Sequence, residues 1–205
     1  MTQNSVKIIE YSDYICPFCH IGFHRLEQLK LSFPLDVDIR PFELHPETPK
    51  EGLSNEELPF DPEYFAMAIA NVKRLAAEDG IVFNLPTRMP NSRLALSIAE
   101  FAKKKGKFDA FHAIVFEKYW VEGKDIGDLS VLLDFATSLG MERGEILAYI
   151  KSEEPTKVLR KYLADARKIG ISGVPTFIIN STVISGAQPY AVFAKVIKAS
   201  QVTPS

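Results

Sequence analysis

The apolar positions near the N-terminus change from a continuous run to a helical spacing and then to an alternation. Residues 6–11, VKIIEY, form a short apolar run that predicts a buried strand. From Pro17 to about residue 32 the apolar residues recur at helical intervals, and a helix tolerates proline in its first turn. Residues 35–40, LDVDIR, alternate apolar and charged positions, as a half-exposed strand does. The opening is therefore predicted to be a βαβ unit.

The rest of the chain divides into a loop, a helical block and a second α/β segment. Residues 43–63 are rich in proline and charge, which indicates a loop, and from there to about residue 169 helical spacing dominates. The runs at 174–180 and 182–185 flank Asn180-Ser181, which predicts a hairpin, and a last helix begins near Pro189.

These elements predict an α/β fold class with one interruption. Neither flank supplies a complete core alone, so we expect a single domain over residues 1–205. Its α/β part would comprise residues 1–59 plus 170–205, and a large all-helical insertion would span about 60–169.

Composition narrows the classes of function. A hydrophobic content of 46% and an aromatic content of 11% are typical of a globular protein. With 24 Lys and Arg against 26 Asp and Glu, the net charge of -2 gives no electrostatic reason to expect nucleic-acid or membrane-surface binding. The N-terminal sequence lacks the apolar core of a signal peptide, and no stretch approaches a membrane span. We therefore expect a cytoplasmic protein.

The two cysteines of the chain, Cys16 and Cys19, form a CxxC motif at the start of the first helix. A structural disulfide, a zinc site and a redox-active dithiol would each explain this spacing. A cytoplasmic location disfavours the disulfide. Zinc requires four ligands, and although His20 and His24 follow closely, there is no second CxxC. Redox chemistry is favoured, and the zinc site stays an alternative.

The helix start assigns different roles to the two thiols. Unpaired N–H groups and the helix dipole stabilise an anion at this end, so we expect Cys16 to be the nucleophile. Cys19 lies one turn further on the same helix face, where it can resolve a mixed disulfide.

A Val174-Pro175 pair stands at the start of a late strand. A proline at this place is ordinary for an edge strand. Combined with a CPxC βαβ opening, however, the pair is similar to the thioredoxin fold, in which a cis-proline loop faces the CxxC motif. Pro175 is therefore expected to join Cys16 and Cys19 in the catalytic site, across a cis bond.

The whole sequence resembles the DsbA-like thioredoxin superfamily and, within it, the FrnE-like branch. The matching segments are CxxC at 16–19 with its trailing Ile21-Gly22, MPNSRLAL at 89–96, GVPTFIIN at 173–180 and SGAQPY at 185–190. The resemblance implies a thioredoxin-like fold whose helical insertion roofs the active site. The superfamily also contains 2-hydroxychromene-2-carboxylate isomerases and kappa-class glutathione transferases, which typically carry a serine at the first motif position. The two cysteines present here favour dithiol–disulfide exchange.

The resemblance also implies residues that bind substrate. The backbone around Val174 would pair with an extended peptide or with glutathione. Ser185 and Gly186 match the place where glutathione-binding relatives hold the γ-glutamyl carboxylate, although an ordinary hairpin exit is an equal alternative. Phe18 stands where the branch commonly has tryptophan and is expected to contact substrate.

Three further polar sites have simpler explanations. His20 is expected to be a packed or exposed helix residue rather than a catalytic one. Asn91 either caps the helix that starts there or lines the site. The lysines at 103–105 are most simply a solvated helix end.

We thus expect a cytoplasmic thiol–disulfide oxidoreductase that acts on a thiol- or disulfide-bearing protein or on glutathione. No cofactor, metal, nucleic acid or membrane partner is expected, and glutathione is a candidate co-substrate. The first alternative is a glutathione-dependent isomerase or transferase acting on a small aromatic metabolite. The second is a non-catalytic zinc-binding module.

Overall fold

The strands at the two ends of the chain come together in one mixed sheet. In the computed structural model, which describes residues 5–202, β1 and β2 are parallel, whereas β5 is antiparallel to both β1 and β6. The sheet order is β2-β1-β5-β6, and β3 pairs with β4 separately. The strands are β1 (Val6–Ser12), β2 (Leu35–Pro41), β3 (Leu53–Ser54), β4 (Arg88–Met89), β5 (Thr176–Ile179) and β6 (Thr182–Ser185).

Eight helices are present in the described part of the chain, and five of them follow β4 without an intervening strand. None of the helices within residues 5–202 is both long and apolar enough to cross a membrane. The helices are α1 (Pro17–Lys30), α2 (Pro62–Glu78), α3 (Arg93–Lys104), α4 (Phe108–Trp120), α5 (Leu129–Ser138), α6 (Arg143–Lys151), α7 (Glu154–Lys168) and α8 (Tyr190–Val202).

Helices cover both faces of the sheet because successive residues of β1 point to opposite sides. On one face, Ile8 packs with Leu29 of α1 and Phe193 of α8. On the other, Tyr11 packs with Ala166 of α7. Residues 10 and 12 share the face of Ile8 and therefore point toward α1.

The helical insertion has its own aromatic core, and the CxxC loop is part of it. Tyr14, Cys16 and Cys19 belong to the same buried cluster as residues of α3 to α6. The Trp120 indole N–H donates to the Tyr14 carbonyl at 2.9 Å. The motif therefore lies where the sheet and the insertion meet.

The fold class predicted from the sequence, a thioredoxin-like α/β fold with a helical insertion, is confirmed. The insertion is not purely helical, because Arg88–Met89 pairs with Leu53–Ser54. A two-residue strand has no period that a sequence pattern can show. The domain limits predicted at 1–59, 60–169 and 170–205 stay predictions, and residues 1–4 and 203–205 lie outside the described residues.

One surface prediction needs correction. Lys103 is not simply solvated, because its ammonium lies 2.8 Å from Glu100 and donates to the Ile39 carbonyl of β2. Lys103 and Ile39 lie far apart in the chain, so the spacing of residues within α3 could not predict this contact.

Candidate active site

The Cys16 sulfur lies at the start of α1 and faces the segment that precedes β5. Cys16 is the N-cap residue and Pro17 the first residue of the helix. The Cys16 thiol donates to the Val174 carbonyl at 3.4 Å. Both cysteines are free; Cys16 is 5% exposed, and Cys19 is fully buried. Of the two thiols, Cys16 is therefore the one that a substrate can reach first.

Below the motif, β1 places a carboxyl group beside the inner thiol. Glu10 is fully buried, and neither of its oxygens has a hydrogen-bond partner. Burial raises the pKa of Glu10 to about 8. Burial also raises the pKa of Cys19, with further increases from the adjacent Cys16 sulfur and from Glu10. The Ser12 hydroxyl lies near both groups and lowers both pKa values, without reaching normal hydrogen-bond geometry with either.

The loop opposite the motif contains the expected proline. The Val174–Pro175 peptide bond is cis. The Pro175 ring packs against α1 at Gly22, where an added Cβ would lie 3.5 Å from the ring and 2.9 Å from Phe177. A glycine at this position lets the helix approach the loop closely.

A buried aspartate connects the motif to two distant segments. One oxygen of Asp13 accepts the Leu44 N–H at 2.7 Å and the Ser92 hydroxyl at 3.0 Å. The other oxygen accepts the Ile15 N–H at 3.4 Å. Burial raises the pKa of Asp13 to about 6. The carboxyl group thus holds the loop before Cys16 against the insertion.

An apolar cavity of about 370 Å³ opens beside Cys16. Its volume is within the range of small-molecule sites. Phe18 and Val174, for which substrate binding stays a prediction, line it together with Cys16. Much of the remaining wall is aromatic, from Phe60, Phe65, Tyr119 and Trp120.

Ser185 and Gly186 border a different groove. This groove, of about 320 Å³, also includes Val174 and Pro175. The Gly186 N–H donates to the Pro175 carbonyl at 2.8 Å, so it is already engaged. The Ser185 hydroxyl therefore remains as the group of this pair that could contact a carboxylate.

Two buried acids of the site, Glu10 and Asp13, were not predicted from the sequence. The signal for Glu10 is a charged residue inside the apolar run VKIIEY, where an unpaired charge is costly. For Asp13 the signal is weaker, because its partners Leu44 and Ser92 lie far away in the sequence.

The other polar candidates do not contribute to a metal site. His20 is fully buried, its ring Nε2–H donates to the Val82 carbonyl at 3.1 Å, and burial lowers its pKa to about 4. Asn91 accepts the Arg93 N–H at 3.0 Å and so helps to cap α3. Within residues 5–202, no group of three or more His, Cys, Asp and Glu side chains could hold a metal ion.

Known proteins resemble this chain in sequence and in structure. The chain is 32% identical over 200 residues to the uncharacterized protein YwbO of Bacillus subtilis (strain 168), covering 96% of this chain and 98% of that protein. It is 23% identical over 180 residues to the 2-hydroxychromene-2-carboxylate isomerase of Sphingobium xenophagum, covering 86% and 90% of the two chains. A probable DsbA oxidoreductase from Streptomyces coelicolor superimposes with a TM-score of 0.84 at 25% identity, covering 98% of this chain and 92% of that one.

A family-level comparison covers almost the entire described chain. The sequence model of the DSBA-like thioredoxin domain matches residues 7–198. These limits include the CxxC motif, the helical insertion and the hairpin that follows Pro175. The chain therefore belongs to the DSBA-like thioredoxin domain family.

Proposed function

We propose that the protein is a thiol–disulfide oxidoreductase in which Cys16 attacks and Cys19 resolves. The observation that carries this proposal is the 3.4 Å contact between the Cys16 sulfur and the Val174 carbonyl, with the free Cys19 thiol buried one helical turn further on. Family membership and the similarity to a structure named as a probable DsbA oxidoreductase support an enzyme of this type.

The exchange proceeds in two steps through a mixed disulfide. The Cys16 thiolate attacks a substrate disulfide, forms a Cys16–substrate bond and releases the first substrate sulfur as a thiolate. Cys19 then transfers its proton to Glu10 and attacks the Cys16 sulfur. A Cys16–Cys19 bond forms and the second substrate thiolate leaves, so that two electrons pass from the enzyme dithiol to the substrate. The reverse sequence oxidises a substrate dithiol.

Glu10 is suited to this proton transfer because of its environment. Its pKa of about 8 is far above the ordinary carboxyl value, so it can bind and release a proton near neutral pH. The helix N-terminus stabilises the thiolate at Cys16 when this sulfur is the leaving group.

The proposed substrate is a thiol- or disulfide-bearing protein or glutathione. The backbone at Val174 would pair with the extended chain of the substrate, next to Pro175. The apolar cavity that Phe18 lines would accept an apolar group of the substrate. Glutathione as a co-substrate would use the groove at Ser185 and Gly186. We propose that the protein has no resident cofactor. We also propose a cytoplasmic location, which cell fractionation can test.

A second candidate is a glutathione-dependent isomerase or transferase that acts on a small aromatic metabolite. The aromatic lining of the cavity beside Cys16 favours it, as does the similarity to an enzyme named as an isomerase. Such an enzyme does not need a dithiol. Cys16→Ser would retain activity under this alternative and lose it under the proposed function.

The proposed function is tested by equilibrating the purified protein with glutathione redox buffers and counting its thiols. We expect a two-electron transition between dithiol and disulfide, and catalysed turnover of a model disulfide by the wild type. Turnover should disappear in Cys16→Ala. A protein that shows neither the transition nor turnover would refute the oxidoreductase assignment.

A further inference from the structure

A groove of about 690 Å³ lies between α1, α4 and the segment that follows α2. We call it the α1–α4 groove. It shares no lining residue with the cavity beside Cys16 or with the groove at Ser185 and Gly186. No step of the proposed exchange uses it.

The α1–α4 groove presents apolar side chains to solvent. Leu31 is 88% exposed and Val82 is 59% exposed, and both line the groove. Half-buried apolar residues form more of its wall, namely Phe23, Ile81 and Val121. Exposed apolar side chains that gather in one groove mark a surface that contacts another molecule.

The side chains of this groove that are charged at neutral pH are acidic. They are Glu27, Asp79 and Glu117, and neither lysine nor arginine is found among the described lining residues. Two of the three have a cationic partner, since Glu27 lies 2.6 Å from Lys30 and Asp79 lies 2.6 Å from Arg25. The exposed Glu117 carboxylate forms no hydrogen bond or ion pair within residues 5–202. It is therefore available to a cation that comes from another molecule.

The two histidines of the groove do not offset this negative charge. Burial lowers the pKa of His20 to about 4 and also lowers the pKa of His24, which nearby carboxylates such as Glu117 only partly oppose. Both rings are therefore neutral near neutral pH. The His24 ring packs against Phe23, with ring centroids 5.3 Å apart. Aromatic rings next to a carboxylate suit lysine or arginine, whose stem packs on the rings while its charged end pairs with the acid.

The α1–α4 groove adjoins the cavity beside Cys16. The His20 ring, which lines the groove, packs against Trp120 with ring centroids 6.4 Å apart, and Trp120 lines the cavity. Val82 lines the groove, and Leu85, three residues later, lines the cavity. A polypeptide bound in the groove can therefore continue into the cavity and bring a disulfide to Cys16.

We propose that the α1–α4 groove docks an apolar, basic segment of the protein whose disulfide or thiols react at Cys16. This inference rests on the proposed function and names its substrate class. The apolar side chains of the segment cover Leu31 and Val82, and its lysine or arginine packs on the His24 ring and pairs with Glu117. Glutathione, which is small and carries a net negative charge, does not have these features.

Binding is measured by fluorescence anisotropy with a fluorescein-labelled amphipathic peptide of leucine and lysine. An analogue with glutamate in place of lysine serves for comparison. We expect the wild type to bind the lysine peptide about tenfold more tightly than the glutamate peptide. Glu117→Lys should weaken binding of the lysine peptide by about fivefold or more, and Leu31→Ser by about threefold or more.

Two substitutions outside the groove are matched controls. Asp134→Lys reverses an exposed charge on α5 and so changes the net charge of the protein as Glu117→Lys does. Val192→Ser removes an exposed apolar side chain from α8. Both should bind the lysine peptide within about twofold of wild type. In the reciprocal exchange of charges, Glu117→Lys should bind the glutamate peptide more tightly than the wild type does.

Exchange is measured with the same two peptides, each extended by a cysteine in a mixed disulfide with a coloured aryl thiol. In the wild type, the lysine peptide should have a lower KM than the glutamate peptide. Glu117→Lys and Leu31→Ser should raise the KM of the lysine peptide and leave its kcat within about twofold of wild type. Turnover of the free aryl disulfide, which has no segment to dock, should be unchanged in both variants.

The failure of the docking site and the failure of the proposed function give different results. Equal binding and equal KM for the two peptides in the wild type, with normal turnover of the aryl disulfide, would overturn the docking site alone. Equal weakening by Glu117→Lys and Asp134→Lys would show that the peptide responds only to net charge, and would also overturn it. A wild type that binds the lysine peptide through Glu117 but turns over no disulfide would refute the proposed function and, with it, the assignment of the docked segment to a substrate.

Discussion

The Ser92 hydroxyl donates a hydrogen bond of 3.0 Å to the Asp13 carboxylate and so joins the start of α3 to the loop before the CxxC motif. The same Asp13 oxygen accepts the Leu44 N–H at 2.7 Å. The Asp13 backbone carbonyl accepts the Cys16 N–H at 3.2 Å. The position of the nucleophile therefore depends on contacts from two segments distant in sequence.

Replacing Asp13 with alanine should destabilise the protein and slow exchange. The Leu44 N–H and the Ser92 hydroxyl would lose a buried acceptor, and each buried unsatisfied group costs about 1–3 kcal/mol. Chemical denaturation measures this loss, and model disulfide turnover measures the displacement of the motif. Ser92→Ala removes one donor only and should cost about 0.5–1.5 kcal/mol. Equal free energies of unfolding for Asp13→Ala and wild type would show that these hydrogen bonds do not stabilise the fold.

The buried Glu10 should make stability depend on pH. Its pKa is raised from 4.5 to about 8 in the folded protein, so the folded chain keeps a proton that the unfolded chain loses at lower pH. Wild-type stability therefore falls as pH rises from about 4.5 to 8, by on the order of 5 kcal/mol from this group. Asp13, raised from 3.8 to about 6, adds a fall in the same direction at lower pH.

Glu10→Gln isolates the contribution of Glu10. The amide keeps the size of the side chain but cannot ionise, so the variant should be more stable than wild type at pH 8. The difference should shrink toward pH 5, where Glu10 is protonated in the folded wild type. Urea denaturation at several pH values measures it, with the exposed Glu56→Gln as the control. Parallel pH profiles for Glu10→Gln and wild type would contradict a raised pKa.

Gly22→Ala tests the close approach of α1 to the Pro175 loop. The added methyl group would lie 2.9 Å from Phe177, so helix and loop must separate, at a cost of about 1–3 kcal/mol. Exchange should slow as well, because the same loop carries Val174. Gly144→Ala on α6 is the matched control: nothing lies within 4 Å of the new methyl group, and the variant should gain about 0.5–1 kcal/mol. A Gly22→Ala protein as stable and active as Gly144→Ala would exclude tight packing here.

Arg25 should be a main stabilising residue outside the site. It is 2% exposed, lies 2.6 Å from Asp79, and donates to the carbonyls of Ala187 and Gln188. Removing one partner of a buried ion pair costs about 3–5 kcal/mol. Arg25→Leu should therefore lower the free energy of unfolding by this amount, whereas Arg74→Ala, which breaks the exposed pair with Glu78, should change it by less than about 0.5 kcal/mol. Similar losses in the two variants would contradict this difference.

Sequence patterns predicted the parts of the fold that depend on interactions between residues close together in the chain. The strand of β1, the helix beginning at Pro17 and the hairpin at Asn180 follow from periodicity and turn chemistry, and all are present. The placement of Cys16 and Cys19 one helical turn apart also follows from their spacing in the sequence. The Val174–Pro175 loop facing Cys16 was inferred from family resemblance, since nothing in either segment reports the distance between them.

The features that the sequence did not predict depend on contacts between segments far apart in the chain. Glu10 and Asp13 acquire their shifted pKa values from burial by segments far along the chain. Lys103 was predicted to be a solvated surface lysine, because the spacing of residues within its helix does not indicate the β2 carbonyl to which it donates. The α1–α4 groove exists only where the insertion packs against α1.

The most direct test of the division of roles between the thiols is a trapping measurement. Cys19→Ala, incubated with oxidised glutathione or a cysteine-containing peptide disulfide, should accumulate a mixed disulfide on Cys16, because the resolving thiol is absent. Intact-mass analysis with peptide mapping identifies the modified residue. The account predicts one adduct on Cys16 in Cys19→Ala and little adduct on Cys19 in Cys16→Ala. Faster adduct formation on Cys19 in Cys16→Ala than on Cys16 in Cys19→Ala would contradict it.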